Sequence, residues 1–227
     1  MSGVLRPLFR AGFLALLLGF SSLSFPGVCQ AQPTAGSGAE AALATPQGKF
    51  IQALGDRAIA ILADKSLNAE RRNGKFRDMM HDSFDLATIG RFVIGRNWQA
   101  ATPEQQKEYM HLFEELVVKT YSDRFALYTG ENFHVKAVTP EGDRDFIVNS
   151  EILHPDGSPP STVDWRLRQK EGKMGIIDVV VEGVSMSVTQ RQEYASVIER
   201  SGGNIDGLLD VMRQHLQGQA TARSNKG

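Results

Sequence analysis

The spacing of apolar residues divides the chain into a helical stretch, a strand-rich stretch and a second helical stretch. Up to about residue 128 apolar positions recur every three or four residues, which predicts amphipathic helices. Thr45 before Pro46 marks the start of one helix and Asp85 the start of another, because such residues satisfy free backbone amides at a helix N-terminus. Thr102 and Gln105 form a capping box at the start of the longest helix. The pattern thus predicts shorter helices followed by one long helix with a wide, aromatic apolar stripe.

The period of the apolar residues changes to two after residue 130, as expected for half-buried strands. Four strands are predicted, which begin near Phe133, Phe146, Val163 and Ile176. The short turns between them contain Gly, Pro and Asp, and they predict an antiparallel meander. Two further helices follow, the last of which is predicted to end near Leu216. Helices, then strands, then helices predict an α+β fold in which the four-stranded sheet curves around the long helix.

Residues 1–31 have the pattern of a secretory signal peptide. Arg6 and Arg10 give a positive start, an apolar run follows over residues 11–20, and Ala31 ends a small-residue cleavage site. The apolar run is shorter than the roughly 20 residues that a spanning helix needs, which favours a cleaved signal over an uncleaved anchor. The sequence therefore predicts an exported protein.

The rest of the chain is predicted to form one domain with unstructured ends. Residues 32–44 are rich in Ala, Gly, Ser and Pro and are predicted to be a disordered linker. Residues 45–217 are predicted to form a single α+β domain, because a chain of this length can supply one hydrophobic core. Residues 218–227 are polar and are predicted to be a disordered tail.

Composition and charge argue against several classes of function. The chain has one cysteine, Cys29, which lies in the predicted signal, so neither disulfides nor thiol chemistry is expected in the exported protein. The full chain has a net charge of −1, and loss of the two signal arginines, Arg6 and Arg10, leaves −3. A nearly neutral chain without a Lys/Arg block is not expected to bind nucleic acid or an anionic membrane surface.

Recognisable catalytic and metal-binding motifs are absent from the sequence. The five histidines are scattered, and no HExxH, GxSxG, GxGxxG or P-loop pattern occurs, so neither a metal nor a catalytic residue is predicted. Asp178 interrupts the apolar run from Ile176 to Val181 and can be interpreted in two ways. In a cavity its carboxylate could act as a general base with a raised pKa. A single carboxylate without a partner favours the alternative, in which Asp178 faces solvent or hydrogen-bonds to a neighbouring helix.

Two stretches of the chain together resemble a known family. The first stretch is IGRFVIGRNW at 89–98, which leads into ATPEQQ at 101–106, and the second is IDVVVEGVSM at 177–186, which is followed by QR at 190–191. In order and spacing they resemble the MlaC family of periplasmic phospholipid-binding proteins, also called toluene-tolerance auxiliary proteins, including the hopanoid-associated HpnM relatives. The resemblance covers residues from about 45 to 216.

The resemblance implies a lipid carrier. It implies a sheet related to the NTF2- and cystatin-like folds, a helical lobe, and an apolar cavity that takes the acyl chains and leaves the head group outside. It implies phospholipid, or a related lipid, as cargo and no cofactor. It also implies two partners, an inner-membrane ABC transporter complex and an outer-membrane lipoprotein–porin complex, in the periplasm. We expect the carrier to be a monomer without catalytic activity.

The residues predicted to line the lipid cavity come from the long aromatic helix, the inner face of the sheet and the helices next to them. They are Leu86, Phe92, Trp98, Phe113, Leu116, Tyr121, Phe125, Tyr128, Val135, Phe146, Val148, Val163, Trp165, Leu167, Val179 and Val181. Two other functions stay open from the residues alone. One is a small cavity isomerase or hydratase that uses Asp178, and the other is a periplasmic adaptor whose groove binds a peptide.

Overall fold

The protein combines eight helices with one antiparallel sheet among the residues that the structure describes. The structure, a computed structural model, describes the backbone of residues 35–125, 128 and 130–224 and the side chains of residues 38–121, 128 and 130–218. The predicted signal peptide lies outside the described residues. The elements are α1 (Ala35–Ala44), α2 (Pro46–Ala63), α3 (Ala69–Ser83), α4 (Leu86–Ile94), α5 (Asn97–Ala100), α6 (Pro103–Phe125), β1 (Asn132–Glu141), β2 (Asp145–Leu153), β3 (Ser161–Lys170), β4 (Lys173–Val181), β5 (Val184–Ser185), α7 (Met186–Arg200) and α8 (Ile205–Ser224).

The helix starts that the sequence predicts are confirmed. The hydroxyl of Thr45 accepts a hydrogen bond from the amide of the third residue after it at 3.0 Å, and the carboxylate of Asp85 does the same at 2.9 Å. Thr102 and Gln105 exchange two hydrogen bonds, one from each backbone amide to the other side chain, at 2.9 and 3.2 Å. These side chains satisfy amides that have no partner within the helix, which fixes where α2, α4 and α6 begin.

The strands form the predicted meander, in the order β1-β2-β3-β4-β5. All neighbouring pairs are antiparallel. The fifth strand has two residues and was not predicted, because so short a segment carries no alternating pattern. It follows a tight turn in which Glu182 and Gly183 both have positive φ angles, of 50° and 77°. That turn returns the chain along β4 and leads directly into α7.

Both edges of the sheet are covered by other parts of the chain. Along β1 the side chain of Gln52 replaces a strand: its oxygen accepts from the amide of Val135 at 3.2 Å, and its nitrogen donates to the carbonyl of Phe133 at 3.3 Å. One end of β4 pairs with β5. Nearer its other end, Ile176 forms a parallel bridge with Phe84, which follows α3. These contacts satisfy backbone groups that would otherwise be open to pairing with another chain.

The two ends of the domain differ from the sequence prediction. Residues 35–44, expected to be part of a disordered linker, form α1. Alanine favours helix, and Ala42 is only 3% exposed and belongs to the core. Its carbonyl packs against Gly48, where a side chain would collide with it. At the other end α8 runs to Ser224, past the predicted end near Leu216 and into the expected tail. The apolar pattern ends near Leu216. The helix continues beyond it because Gln, Ala and Arg have high helix propensity.

Two clusters of buried apolar side chains form the core. The sheet cluster joins the sheet to α1–α3 and contains Ala42, Ile51, Leu54, Ile61, Phe76, Met79, Met80, Leu86, Val118, Val135, Val148, Leu167 and Ile176. The helical cluster joins α4, α6, α7 and α8 and contains Val93, Ile94, Ala101, Tyr109, Leu112, Phe113, Leu116, Val197, Ile198, Ile205, Leu208, Leu209 and Met212.

Helix α6, like α4, contributes to both clusters. Its first half lies in the helical cluster, and it reaches the sheet cluster through Val118 and Tyr121. The sequence predicted that this helix would cover the sheet, but α2 and α3 supply most of the helical side chains that pack on it. The apolar stripe of α6 is wide enough to serve two surfaces, and spacing alone could not assign it to one.

Candidate functional site

Part of the inner face of the sheet is less buried on β4 than on β2. Val148, Trp165 and Val179 lie opposite one another across β2, β3 and β4. Val148 is fully buried in the sheet cluster, whereas Trp165 and Val179 are half-buried and pack against it. In the next row Val163 is buried and Val181 is half-buried. The sheet therefore presents apolar side chains that the core does not fully cover.

Trp165 is held in one orientation by neighbours on β1 and β2. Its indole nitrogen donates to the hydroxyl of Ser150 at 2.9 Å, and that hydroxyl donates to the carbonyl of Val163 at 2.8 Å. The ring of Phe133 meets the indole edge-on, with 6.1 Å between ring centroids. Phe133 in turn lies against Gly55 in α2, where a Cβ would come within 2.2 Å of the ring. The polar end of the indole is thus satisfied, and its apolar face stays available.

Val117 lies where the two apolar clusters meet. It is half-buried and packs against both clusters, one turn before the half-buried Tyr121 on the same helix. We call the half-buried side chains of Val117, Tyr121, Trp165 and Val179 the seam. All four side chains are only partly covered, and all four, two from α6 and two from the sheet, pack against the buried side chains of the sheet cluster.

Two other aromatic residues of α6, Tyr109 and Phe113, belong to the helical cluster. Tyr109 is fully buried, stacks on Phe113 with 5.8 Å between centroids, and donates a hydrogen bond to the carbonyl of Gly90 at 2.9 Å. Burial raises the pKa of the Tyr109 hydroxyl, so it stays protonated. Burial likewise raises the pKa of Tyr194, which meets Tyr109 edge-on at 6.3 Å. These aromatic side chains fix the helices against one another.

Exposed ion pairs join α3 to α6. Arg77 pairs with Glu115, and His81 lies 2.8 Å from Glu114. The hydrogen bond from Arg77 lowers the pKa of the Glu115 carboxyl and keeps it charged. Since α3 belongs to the sheet cluster and α6 enters both, these pairs connect the two halves of the core.

Asp178 serves α7 rather than an open cavity. One carboxylate oxygen accepts from the amides of Val179 at 2.9 Å and Ser187 at 3.1 Å, and the other accepts from the hydroxyl of Ser185 at 2.6 Å. The Ser185 hydroxyl also accepts from the amide of Val188 at 3.1 Å, as the N-cap of α7. The carboxylate is buried and stabilises the positive end of that helix. This is the helix-bonded alternative that the sequence left open.

The predicted lining residues fall into several environments. Those in the sheet cluster or packed against it are Leu86, Tyr121, Val135, Phe146, Val148, Trp165, Leu167 and Val179. Those in or against the helical cluster are Trp98, Phe113 and Leu116. Val163 and Val181 lie on the sheet outside both clusters, Tyr128 is half-buried, and Phe92 is 40% exposed. The side chain of Phe125 lies outside the described part of the chain.

Two residues at the seam were not among the predicted lining residues. Val117 lies four residues after Phe113 and four before Tyr121, so helical spacing places it on their side of α6. Ser150 sits between apolar neighbours on the inner face of β2 and is buried. Ser150 was not predicted because it is polar and the predicted lining was apolar. A serine at an inward position beside a tryptophan nevertheless indicates a buried hydrogen bond.

The described residues offer neither a metal-binding group nor a membrane-spanning helix. Among these residues no group of three or more His, Cys, Asp or Glu side chains could hold a metal ion. None of the helices in the described part of the chain has the length and apolar character needed to cross a membrane. The chemical character of the site is therefore that of apolar and aromatic surface with a few satisfied polar groups.

The described residues thus combine an α+β fold with an apolar seam. The profile of the MlaC protein family matches residues 52–214, so the chain belongs to the MlaC family. That range contains every seam residue as well as Asp178.

Individual relatives agree with the family assignment. The intermembrane phospholipid transport system binding protein MlaC of Haemophilus influenzae is 26% identical over 133 residues, which cover 57% of this chain and 61% of that protein. The toluene tolerance protein ttg2D of Pseudomonas putida is 21% identical over 110 residues, which cover 48% and 51%. The chain thus spans between half and two thirds of the length of these relatives.

A solved structure shares the fold. The phospholipid-binding protein from Ralstonia solanacearum, solved in complex with a phospholipid, superposes with a TM-score of 0.68 at 23% sequence identity. The match covers 76% of this chain and 97% of that chain. The predicted fold class is confirmed by this likeness.

Proposed function

We propose that this protein is a periplasmic lipid carrier that holds the acyl chains of a phospholipid along the seam and moves the lipid between the inner and outer membranes. The observation that carries the proposal is the seam itself: half-buried apolar side chains of α6 and of the sheet pack against the sheet cluster, and one of them, Val117, also packs against the helical cluster. Membership of the MlaC family and the names of its relatives support the same function.

The energetics of a carrier suit an apolar seam without a membrane-binding patch. Two sixteen-carbon chains gain on the order of 25 kcal/mol when they leave water, at about 0.8 kcal/mol per methylene. The gain relative to a bilayer is close to zero, because the membrane already hides the chains from water. A carrier therefore needs apolar surface comparable to lipid, and a partner at the membrane that starts the extraction.

The proposal includes the place and the partners that the family implies. We place the protein in the periplasm, with residues 1–31 as a cleaved signal. The partners are an inner-membrane ABC lipid-transport complex and an outer-membrane lipoprotein–porin complex. The carrier has no catalytic role, and the hydrogen bonds that occupy both oxygens of Asp178 support this part of the proposal.

A transfer assay tests the proposed function. Donor vesicles with a self-quenched fluorescent phosphatidylglycerol are mixed with unlabelled acceptor vesicles, and the purified full-length protein is added. We expect dequenching at a rate proportional to protein concentration. Vesicles alone, and vesicles with heat-unfolded protein, give the background. A rate that stays at background over a wide concentration range would contradict the carrier function.

A further inference from the structure

Helices α4 and α7 pack together and leave an apolar patch on the surface. We call it the α4–α7 patch and define it by Phe92, Val184, Val188, Arg91 and Arg191. Phe92 is 40% exposed, Val188 is 42% exposed and Val184 is 52% exposed. Exposed large apolar side chains that lie near one another, with polar residues around them, mark sites of interaction.

The two arginines of this patch lie over aromatic rings. The guanidinium of Arg191 is 5.0 Å from the centroid of Phe92, and that of Arg91 is 5.3 Å from the centroid of Trp98. Arg191 also lies against Gly95, where a Cβ would come within 3.1 Å of the guanidinium. Gly95 ends α4 with a φ of 60°, a conformation that favours glycine. Because glycine has no side chain, the Arg191 guanidinium can pack against it. The Arg191 guanidinium is therefore oriented before any partner arrives.

Some of the described arginines are paired with carboxylates, and Arg91 and Arg191 are not among them. Arg57, Arg77, Arg166, Arg168 and Arg213 each form a salt bridge. Within the described residues, neither Arg91 nor Arg191 has a carboxylate at ion-pair distance. The N–H groups of an oriented guanidinium that pairs with no carboxylate remain available as donors. They can bind a carboxylate through two parallel hydrogen bonds.

We infer that the α4–α7 patch is a docking surface for a protein partner that presents a carboxylate beside an apolar side chain. The carboxylate pairs with Arg191, and the apolar side chain packs on Phe92 and Val188. The inference rests on the proposed function, because a carrier that lacks a membrane-binding patch needs a protein at each membrane from which to take or deliver lipid.

The composition of the patch favours a protein over a lipid surface. Aromatic residues and arginine are enriched at the centres of protein interfaces, where a few oriented side chains supply most of the binding energy. Binding to anionic lipid instead needs clusters of about four to eight Lys or Arg residues. The patch has two, neither of them lysine, and the chain carries a net negative charge.

The test uses site-directed photocrosslinking of the full chain in its native host. A benzophenone amino acid replaces Val188, and the same amino acid at Leu43, which is 37% exposed on α1, is the matched control. The inference predicts a protein adduct at position 188 that is absent at position 43, with an Asp or Glu near the crosslinked site of the partner. Arg191→Glu should lower the yield at 188 about tenfold or more, as loss of a central contact does.

Two further variants separate docking from its alternatives. Arg71→Glu makes the same charge change at an exposed site in the first turn of α3 and should leave the adduct unchanged. Exchange of the partner's crosslinked carboxylate for lysine should restore the adduct with Arg191→Glu. No adduct above the control, an adduct with lipid or with a second copy of this chain, or a yield insensitive to Arg191→Glu would each overturn the inference.

Two measurements on the purified protein complete the test. Binding to vesicles with 30% phosphatidylglycerol that depends on Arg191 would also overturn the inference in favour of a membrane surface. Bound lipid is measured on the same Arg191→Glu protein. A variant that carries lipid and loses the adduct supports docking alongside the carrier function, whereas an adduct on a chain that never carries lipid would keep the docking surface and refute the carrier.

Discussion

At the scale of single residues, the structure separates side chains that hold the fold from those that stay available. Asp178 belongs to the first group, since its oxygens accept from two backbone amides and from Ser185. The sequence could show that a carboxylate interrupts an apolar strand, but not that the two-residue strand β5 brings the N-terminus of α7 next to it. The sequence therefore left both interpretations of Asp178 open, and the turn at Gly183 in the structure decides between them.

Asp178→Asn should destabilise the protein without changing its cargo. The amide keeps the size of the side chain but loses its charge and one acceptor, and hydrogen bonds to a charged group contribute about 1.5–3 kcal/mol each. We expect the free energy of unfolding to fall by about 1–3 kcal/mol, measured in urea, with bound lipid unchanged. Asp143→Asn in an exposed turn is the control. Full stability combined with lost lipid transfer would indicate a direct role for Asp178 in function.

Two glycine substitutions in helices should have opposite effects. In α3, Gly74→Ala meets nothing within 4 Å, so it should raise the free energy of unfolding by up to about 1 kcal/mol through helix propensity. In α2, Gly55→Ala should lower it by about 1–3 kcal/mol, since its Cβ would displace the Phe133 ring. Because Phe133 packs on Trp165, a shift in tryptophan fluorescence should accompany only the second variant. A stabilising Gly55→Ala would show that the ring has another place to go.

At the scale of secondary-structure elements, the parts most readily predicted were those with strong local chemistry. The capping box at Thr102 and the alternation along β3 depend on residues a few positions apart, so the sequence alone carries them. The covering of the β1 edge by Gln52 joins residues more than 80 positions apart, and no local pattern reports it. Helix α1 was missed for a related reason, because it packs on α2 and on the distant strand β1, and its own sequence has no amphipathic pattern that reports this packing.

The pairing of α6 with α8 should make stability depend on pH. Burial, together with the charge of Lys119, lowers the pKa of His215 below its ordinary value near 6.5. The unfolded chain therefore binds more protons than the folded one as the pH falls below about 6.5, and stability decreases in that window. His215→Gln should flatten the change in urea midpoint between pH 7 and pH 5. An equally steep profile in the variant would assign the dependence to other groups.

At the scale of the whole molecule, the fold provides two buried clusters and a seam of half-buried side chains against the sheet cluster, of which Val117 also packs against the helical cluster. The fold class was predicted from the pattern of the chain, and the family from two short stretches. The lining of the site stays a prediction, because whether a half-buried valine faces cargo or fills a gap depends on packing between distant elements. Val148 and Val179 illustrate this: both lie in the same row of the sheet, on either side of Trp165, but only Val148 is fully buried.

The same substitution on these two valines should distinguish core from seam. Val148→Trp places a large side chain in a filled cluster, and overpacking costs about 1–3 kcal/mol, so the melting temperature should drop. Val179→Trp lies on the seam, where the indole can take the place of an acyl chain. We expect that variant to melt near the wild type and to purify with less lipid. The reverse pattern would show that the seam is part of the solid core.

The central claim, that this protein carries lipid along the seam, is tested most directly by the lipid content of the protein itself. The full chain is expressed in its native host and the exported protein is purified without detergent. Organic extraction and mass spectrometry then measure lipid per mole of protein. The account predicts about one diacyl phospholipid per chain, and less for Val179→Trp than for Asp143→Asn. Repeated preparations without lipid, which also take up none from phosphatidylglycerol vesicles, would contradict it.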